Sequence, residues 1–174
     1  MYRELLDRVM RLAVIVNPDA GLGGRLGFKG SDGRAAEARA AGAQDRAGPR
    51  MMQCLAKLSE LAREPIEILA WDGRMGGDWI PGKYTSTGQT PNTTDANSTA
   101  DFIKSHEPDL FLYAGGDGTT RDIVQALGQR EIPIVGVPGG VKMHSGCFAT
   151  TPRSAAEVVW SFITGDLMIA RTEV

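Results

Sequence analysis

Cysteine is scarce in this 174-residue chain. Cys54 and Cys147 lie far apart and form no Cys-x-x-Cys pattern, so neither a disulfide framework nor a redox motif is written here. Charge of one sign is missing too. A formal net charge of −2 with no basic stripe argues against nucleic-acid binding by electrostatics. No apolar run approaches the ~18 residues that a membrane span requires. Met1 to Met10 is charged throughout and lacks a signal-peptide core. No internal repeat is visible. Two nucleotide motifs are absent as well. Gly-x-x-x-x-Gly-Lys-Ser/Thr does not occur, because Lys29 follows Phe28 and Lys142 follows Val141. Gly21-Leu22-Gly23-Gly24-Arg25-Leu26 fails the dinucleotide fingerprint at its sixth position. What remains is a reduced, cytoplasmic, enzyme-sized domain, with 42% hydrophobic and 23% charged residues and enough length for a real core.

What the chain has in abundance is glycine, 22 in all, concentrated where apolar runs end. Leu110-Phe111-Leu112-Tyr113 reads as a buried parallel strand and collapses into Gly115-Gly116-Asp117-Gly118-Thr119-Thr120. Glycines permit positive φ and close ligand approach, so successive N–H groups can cradle phosphate oxygens. A helix over Thr119–Leu127 would add its N-terminal dipole. A carboxylate among phosphate-binding amides is out of place unless it does chemistry or holds a metal, which singles out Asp117.

The remaining order is strand and helix in alternation. Strands are expected at Leu12–Val16, Pro65–Ala70, Asp109–Tyr113 and Ile132–Val137, with a short one near Lys83–Thr85 and a last one at Leu167–Ala170. Helices are expected over Arg34–Ala47, Arg50–Arg63 after a Gly48-Pro49 break, Thr94/Asp95 to Ser105, and Arg153–Thr164. Met51, Met52, Leu55, Leu58 and Leu61 form the core stripe of the second. Trp71 to Ala96 reads as a long loop. The pattern predicts an open, mostly parallel α/β sheet with helices on both faces, a three-layer Rossmann-like fold. Ligands then bind beyond the carboxyl ends of the strands, where the glycine loops 17–33, 115–120 and 138–146 should meet.

Asn17-Pro18-Asp19-Ala20-Gly21 and Gly115-Gly116-Asp117-Gly118-Thr119 together resemble the two leading motifs of the NAD kinase and diacylglycerol kinase-like superfamily. Leu26 to Gly33 and Gly136 to Gly146 look like the ATP-NAD kinase branch, which includes proteins associated with acetoin catabolism. The resemblance covers about residues 10 to 165. It implies the N-terminal α/β domain of an enzyme whose second, β-rich domain closes the active site. It further implies phosphoryl transfer from ATP or polyphosphate, with Mg²⁺, to the 2′-hydroxyl of NAD, giving NADP. Asp117 matches the family aspartate assigned as general base.

By the same resemblance, phosphate and nucleotide contacts fall on Asn17, Pro18, Gly21, Gly23 and Gly24 of the first loop. Gly115, Gly116, Gly118, Thr119 and Thr120 serve in the second, and Gly139, Gly140, Lys142 and Ser145 in the third. Lys29 and Lys142 would neutralise the transferring group. Lys29 and Asp32 read equally as solvated loop charges, Asn17 also as an Asx-turn. Asp122 either holds Mg²⁺ or stabilises its helix start. His144 lacks a nameable carboxylate partner, His106 reads as a surface helix end, and Cys147 as a small buried residue. NAD is the expected small-molecule partner, with assembly as a homo-oligomer. The chain stops at Val174, where the β-rich domain should begin, and the Asn-Glu motif for the NAD ribose is not found, so residues 1–174 read as one nucleotide-binding domain. A lipid kinase shares the first two motifs, but Gly139 to Phe148 does not resemble its Gly-Thr-x-Asn-Asp stretch. A non-catalytic nucleotide-binding module is the remaining alternative.

Overall fold

The computed structural model of the chain describes residues 8–22, 35–140, 143–172 and 174. Five strands form one sheet: β1 Met10–Val16, β2 Ile66–Asp72, β3 Thr85–Gln89, β4 Leu110–Gly115 and β5 Ile134–Pro138. Their spatial order is β3-β2-β1-β4-β5 and every pair is parallel. The helices are α1 Ala35–Ala40, α2 Ala47–Leu61, α3 Ala96–Lys104, α4 Asp117–Leu127 and α5 Pro152–Ile163. The order reverses between β1 and β4, the crevice where open parallel sheets bind ligands.

Strand periodicity divides the core into two layers. Leu12, Val14, Val16, Leu110, Leu112 and Ala114 face α2 and α5, where they meet Met51, Leu55, Leu58, Val159 and Phe162. The alternate residues Ala13, Ile15, Phe111 and Tyr113 face α3 and α4 and pack on Phe102, Ile103, Ile123 and Leu127. Central strands buried on both faces read as unbroken apolar runs for this reason. The three-layer α/β expectation holds.

Several local expectations are corrected. The first helix ends at Ala40, and Gly48-Pro49 does not interrupt the second but lies in the first turn of α2. Proline is tolerated there because its missing N–H would have had no helical partner. Gly48 is needed for packing, since a Cβ on it would run into the indole of Trp79. Gly48→Ala should therefore destabilise the domain by about 1–3 kcal/mol, the usual cost of overpacking, measurable by urea denaturation. Met52 is 39% exposed, one residue and 100° round the helix from fully buried Met51, and Cys54 takes the inward place. Burial pushes the Cys54 thiol up to about 12, so it stays protonated and inert.

The 71–96 stretch is not one loop. It holds the short 3₁₀ turn Gly77–Trp79 and the edge strand β3, displaced from the expected 83–85. Asp72 ties it down by accepting hydrogen bonds from Tyr84, Ser86 and Gln89. No strand forms over 167–170. Leu167 packs on the core, but Met168 is 94% exposed and the segment has no ladder to join. His106 is buried rather than at the surface. It stacks on Phe102, and its ring nitrogens are taken by the Phe102 carbonyl and the Thr87 hydroxyl. Among the described residues no helix is long and apolar enough to cross a membrane.

Candidate active site at the meeting of three glycine loops

The carboxyl ends of β1, β4 and β5 bring the glycine loops together. Gly139 donates its N–H to the Gly115 carbonyl at 3.0 Å, and Asn17 donates its own to the Ala114 carbonyl at 2.9 Å. These glycines mainly let backbone lie on backbone. A Cβ on Gly140 would stand 2.6 Å from Gly116 Cα, and one on Gly139 would stand 2.9 Å from Ala47 Cα. Gly115 abuts the Thr119 side chain in the same way. Only Gly21 among the loops' described site glycines takes positive φ, +82°, with its α-carbon pressed to the Gly139 carbonyl. The expectation that positive φ shapes the 115–120 turn is thus corrected: the turn is made of close contacts. Gly118 differs from its neighbours, because a Cβ there would meet nothing.

Asn17 acts as a brace. Its Oδ1 accepts the Asp19 N–H at 3.0 Å, an Asx-turn, while its Nδ2 donates to Thr119 Oγ1 at 3.0 Å. That bond joins the two signature motifs across 102 positions. Thr119 and Thr120 point inward and are buried. Thr120 Oγ1 bonds the Tyr113 hydroxyl at 2.6 Å, and that hydroxyl also meets Cys147 Sγ at 3.1 Å. Burial drives the Tyr113 hydroxyl upward, so it stays neutral. Pro18 is buried, and its carbonyl accepts from Arg39, which also pairs with Asp19 and Asp45.

Asp117 occupies the first position of α4, after Gly116 as N-cap. Its carboxylate is held by the 143–146 loop. Oδ1 accepts from Ser145 Oγ at 2.8 Å and from the Ser145 and His144 N–H groups at 2.9 Å. Among the described residues Oδ2 accepts only the shared His144 N–H, at 2.9 Å, which leaves it further acceptor capacity there. Partial desolvation pushes this carboxyl up. The hydrogen bonds from Ser145 and His144, with the charge of the His144 imidazole, outweigh it and hold the group below the ordinary carboxylate range. His144 contributes to this grip chiefly through its main-chain N–H. Ser145, expected on phosphate, is here the clasp of Asp117.

The profile of the ATP-NAD kinase N-terminal domain matches residues 2–167. The chain belongs to that family. A stretch of 51 residues is also 43% identical to an NAD kinase of Cytophaga hutchinsonii, covering 29% of this chain and 16% of that relative. The chain therefore spans only a small part of the curated relative it matches. For this ATP-NAD kinase N-terminal domain, the described structure gathers Asn17, Pro18, Gly21, the 115–120 turn, Gly139, Gly140 and Ser145 on one edge of the sheet. Gly23, Gly24, Lys29, Asp32 and Lys142 lie outside the described residues.

Asp122 stands five residues after Asp117 on α4, about 140° round the helix axis, so the two carboxylates do not share a face. Among the described residues no group of three or more His, Cys, Asp or Glu could hold a metal ion. Two neighbours of the site escaped sequence reasoning, Arg46 and Arg50 at the start of α2. Their signal was a pair of arginines four apart with no acid in the helix's first turn.

Proposed function

We propose that this domain is the nucleotide-binding half of a phosphotransferase that transfers a phosphoryl group from ATP or polyphosphate to the 2′-hydroxyl of NAD. The reading rests chiefly on Asp117, a carboxylate kept ionised at the switch point of the sheet with one oxygen still able to accept a proton. Family membership supports the reaction class, and the similarity to the Cytophaga NAD kinase supports NAD as acceptor. Asp117 acts as general base. A carboxyl below its usual value of about 3.9 is a weak base, so its contribution comes from placement against the hydroxyl. The 115–120 turn receives phosphate oxygens at the open face of Gly118, and Lys29 and Lys142 balance charge on the transferring group. Mg²⁺ would be held largely by the donor's own phosphates and would neutralise their charge. Compartment and assembly follow the same reading: a cytoplasmic homo-oligomer.

Calorimetric titration with ATP·Mg²⁺ and with NAD tests the ligand class. Heat of binding at millimolar or lower ligand is the expected result. Absence of heat and of thermal stabilisation with both ligands, in folded protein, contradicts the proposal. Binding of a dispersed diacylglycerol in place of NAD would favour the lipid-kinase alternative.

A further inference from the structure

Arg46, the N-cap of α2, and Arg50, four residues on in its first turn, reach two of the three glycine loops. Arg50 is half-buried and donates Nη1 to the Pro138 carbonyl at 2.7 Å, at the end of β5. Arg46 is exposed and lies over Gly21, its Cδ 3.0 Å from where a Cβ on that glycine would be. The Arg46 side chain and the Arg50 guanidinium therefore both lie beside the junction at which Gly21 meets Gly139.

Like charges four apart on a helix repel each other, and among the described residues no carboxylate pairs with either of them. The nearby acids are engaged elsewhere: Asp45 by Arg39 and Arg74, Asp19 by Arg39 and the Thr94 hydroxyl. Desolvation and the charge of Arg46 both bear on Arg50 and lower its affinity for its proton. Such an arrangement is relieved by an anion with several oxygens, placed where the sheet leaves its ligand crevice.

We propose that Arg46 and Arg50 form a receptor for the phosphate chain of the phosphoryl donor. It lies on the α2 side of the junction between the 17–22 and 138–140 loops. The proposal rests on the phosphotransferase reading above and deepens it. Gly140 packs on Gly116, the residue before Asp117, so a chain held by the arginines ends beside the turn that carries the base. Condensed phosphate is the matching chemistry, because two forked guanidinium groups bind adjacent phosphates bidentately. The adenosine part of a nucleotide is not required for this contact.

The test is calorimetric titration of inorganic tripolyphosphate, ATP·Mg²⁺ and NAD into wild type, Arg46→Gln and Arg46→Lys. Arg46 makes no side-chain hydrogen bond among the described residues, so its replacement should leave the thermal unfolding curve in place. Arg46→Gln is expected to weaken tripolyphosphate and ATP by roughly ten-fold, with a shallower salt dependence, while NAD is unaffected. Arg46→Lys should recover part of the loss. Equal tripolyphosphate affinity in wild type and Arg46→Gln overturns the inference and leaves the phosphotransferase reading intact. A loss confined to NAD also overturns it, because the pair would then serve the acceptor. Failure of wild type to bind any of the three overturns both.

Discussion

Asp117→Asn, measured with any downstream domain present, is expected to lower kcat by roughly 10²-fold or more, the usual scale for removal of a general base. Nucleotide affinity should change little. The reasoning is that proton acceptance strengthens only as the ribose hydroxyl loses its proton, so the lost interaction belongs to the transition state. The structure adds a complication. Asp117 is also the anchor of the 143–146 loop, and an asparagine would turn an amide NH₂ toward N–H donors from His144 or Ser145. Ser145→Ala separates the two roles, because it removes one hydrogen bond and keeps the carboxylate.

The pH dependence of that second variant carries a definite sign. Asp117 works only when ionised, and its clasp keeps it ionised below the ordinary carboxylate range. Activity should therefore fall only as pH drops through that lowered value, and removal of the Ser145 hydroxyl should move the acid limb to higher pH. The same sign applies to stability. The clasp's contribution is fully present above the unfolded-state value of about 3.9 and disappears as pH falls through the folded one. A kcat–pH profile that is identical in wild type and Ser145→Ala would show that the clasp does not tune the base.

Gly140→Ala and Gly118→Ala are expected to act in opposite directions on stability. A methyl group at 140 would stand 2.6 Å from Gly116 Cα, where backbone opposes backbone and neither side can rotate away. The cost should be about 1–3 kcal/mol or more, and activity should fall with it as the β4–α4 turn is displaced. At 118 the methyl group has open space in the first turn of a helix, so alanine should stabilise by up to about 1 kcal/mol. That gain should come with weaker ATP binding, because the open face is where a phosphate approaches. Urea denaturation with parallel ATP titrations checks both. Equal effects at the two positions would mean that the distinction between packing and access is wrong.

The architecture was legible because central parallel strands announce themselves. Leu12–Val16 and Leu110–Tyr113 are apolar at every position, as burial on two faces requires, and turn residues, Asn17-Pro18 after the first and Gly115-Gly116 after the second, mark their carboxyl ends. β3 was misplaced because Thr85–Gln89 is an edge strand of polar residues and one glycine, held by side-chain bonds to Asp72 rather than by an apolar pattern. The motif pair pointed to the right corner of the fold, yet not to what each residue does there. Asn17, Thr119 and Ser145 are polar and close to the expected ligand, and the structure uses them first to hold each other and Asp117. The stack of His106 on Phe102, four residues earlier, is local, but its burial also depends on the Thr87 hydroxyl of the edge strand, which no local pattern encodes. Arg46 and Arg50 were hidden among helix-forming residues, since only tertiary structure places them over Gly21 and under Pro138.

The central claim is that Asp117 directs a phosphoryl group onto a nucleotide hydroxyl. The most direct measurement is product analysis by ³¹P NMR after incubating the protein, with any downstream domain present, with NAD and ATP·Mg²⁺. The account predicts a new phosphomonoester on the 2′-oxygen of the adenosine ribose, formed by wild type and reduced at least about 10²-fold in Asp117→Asn. No transfer to NAD, or transfer that persists at the wild-type rate in Asp117→Asn, would contradict it.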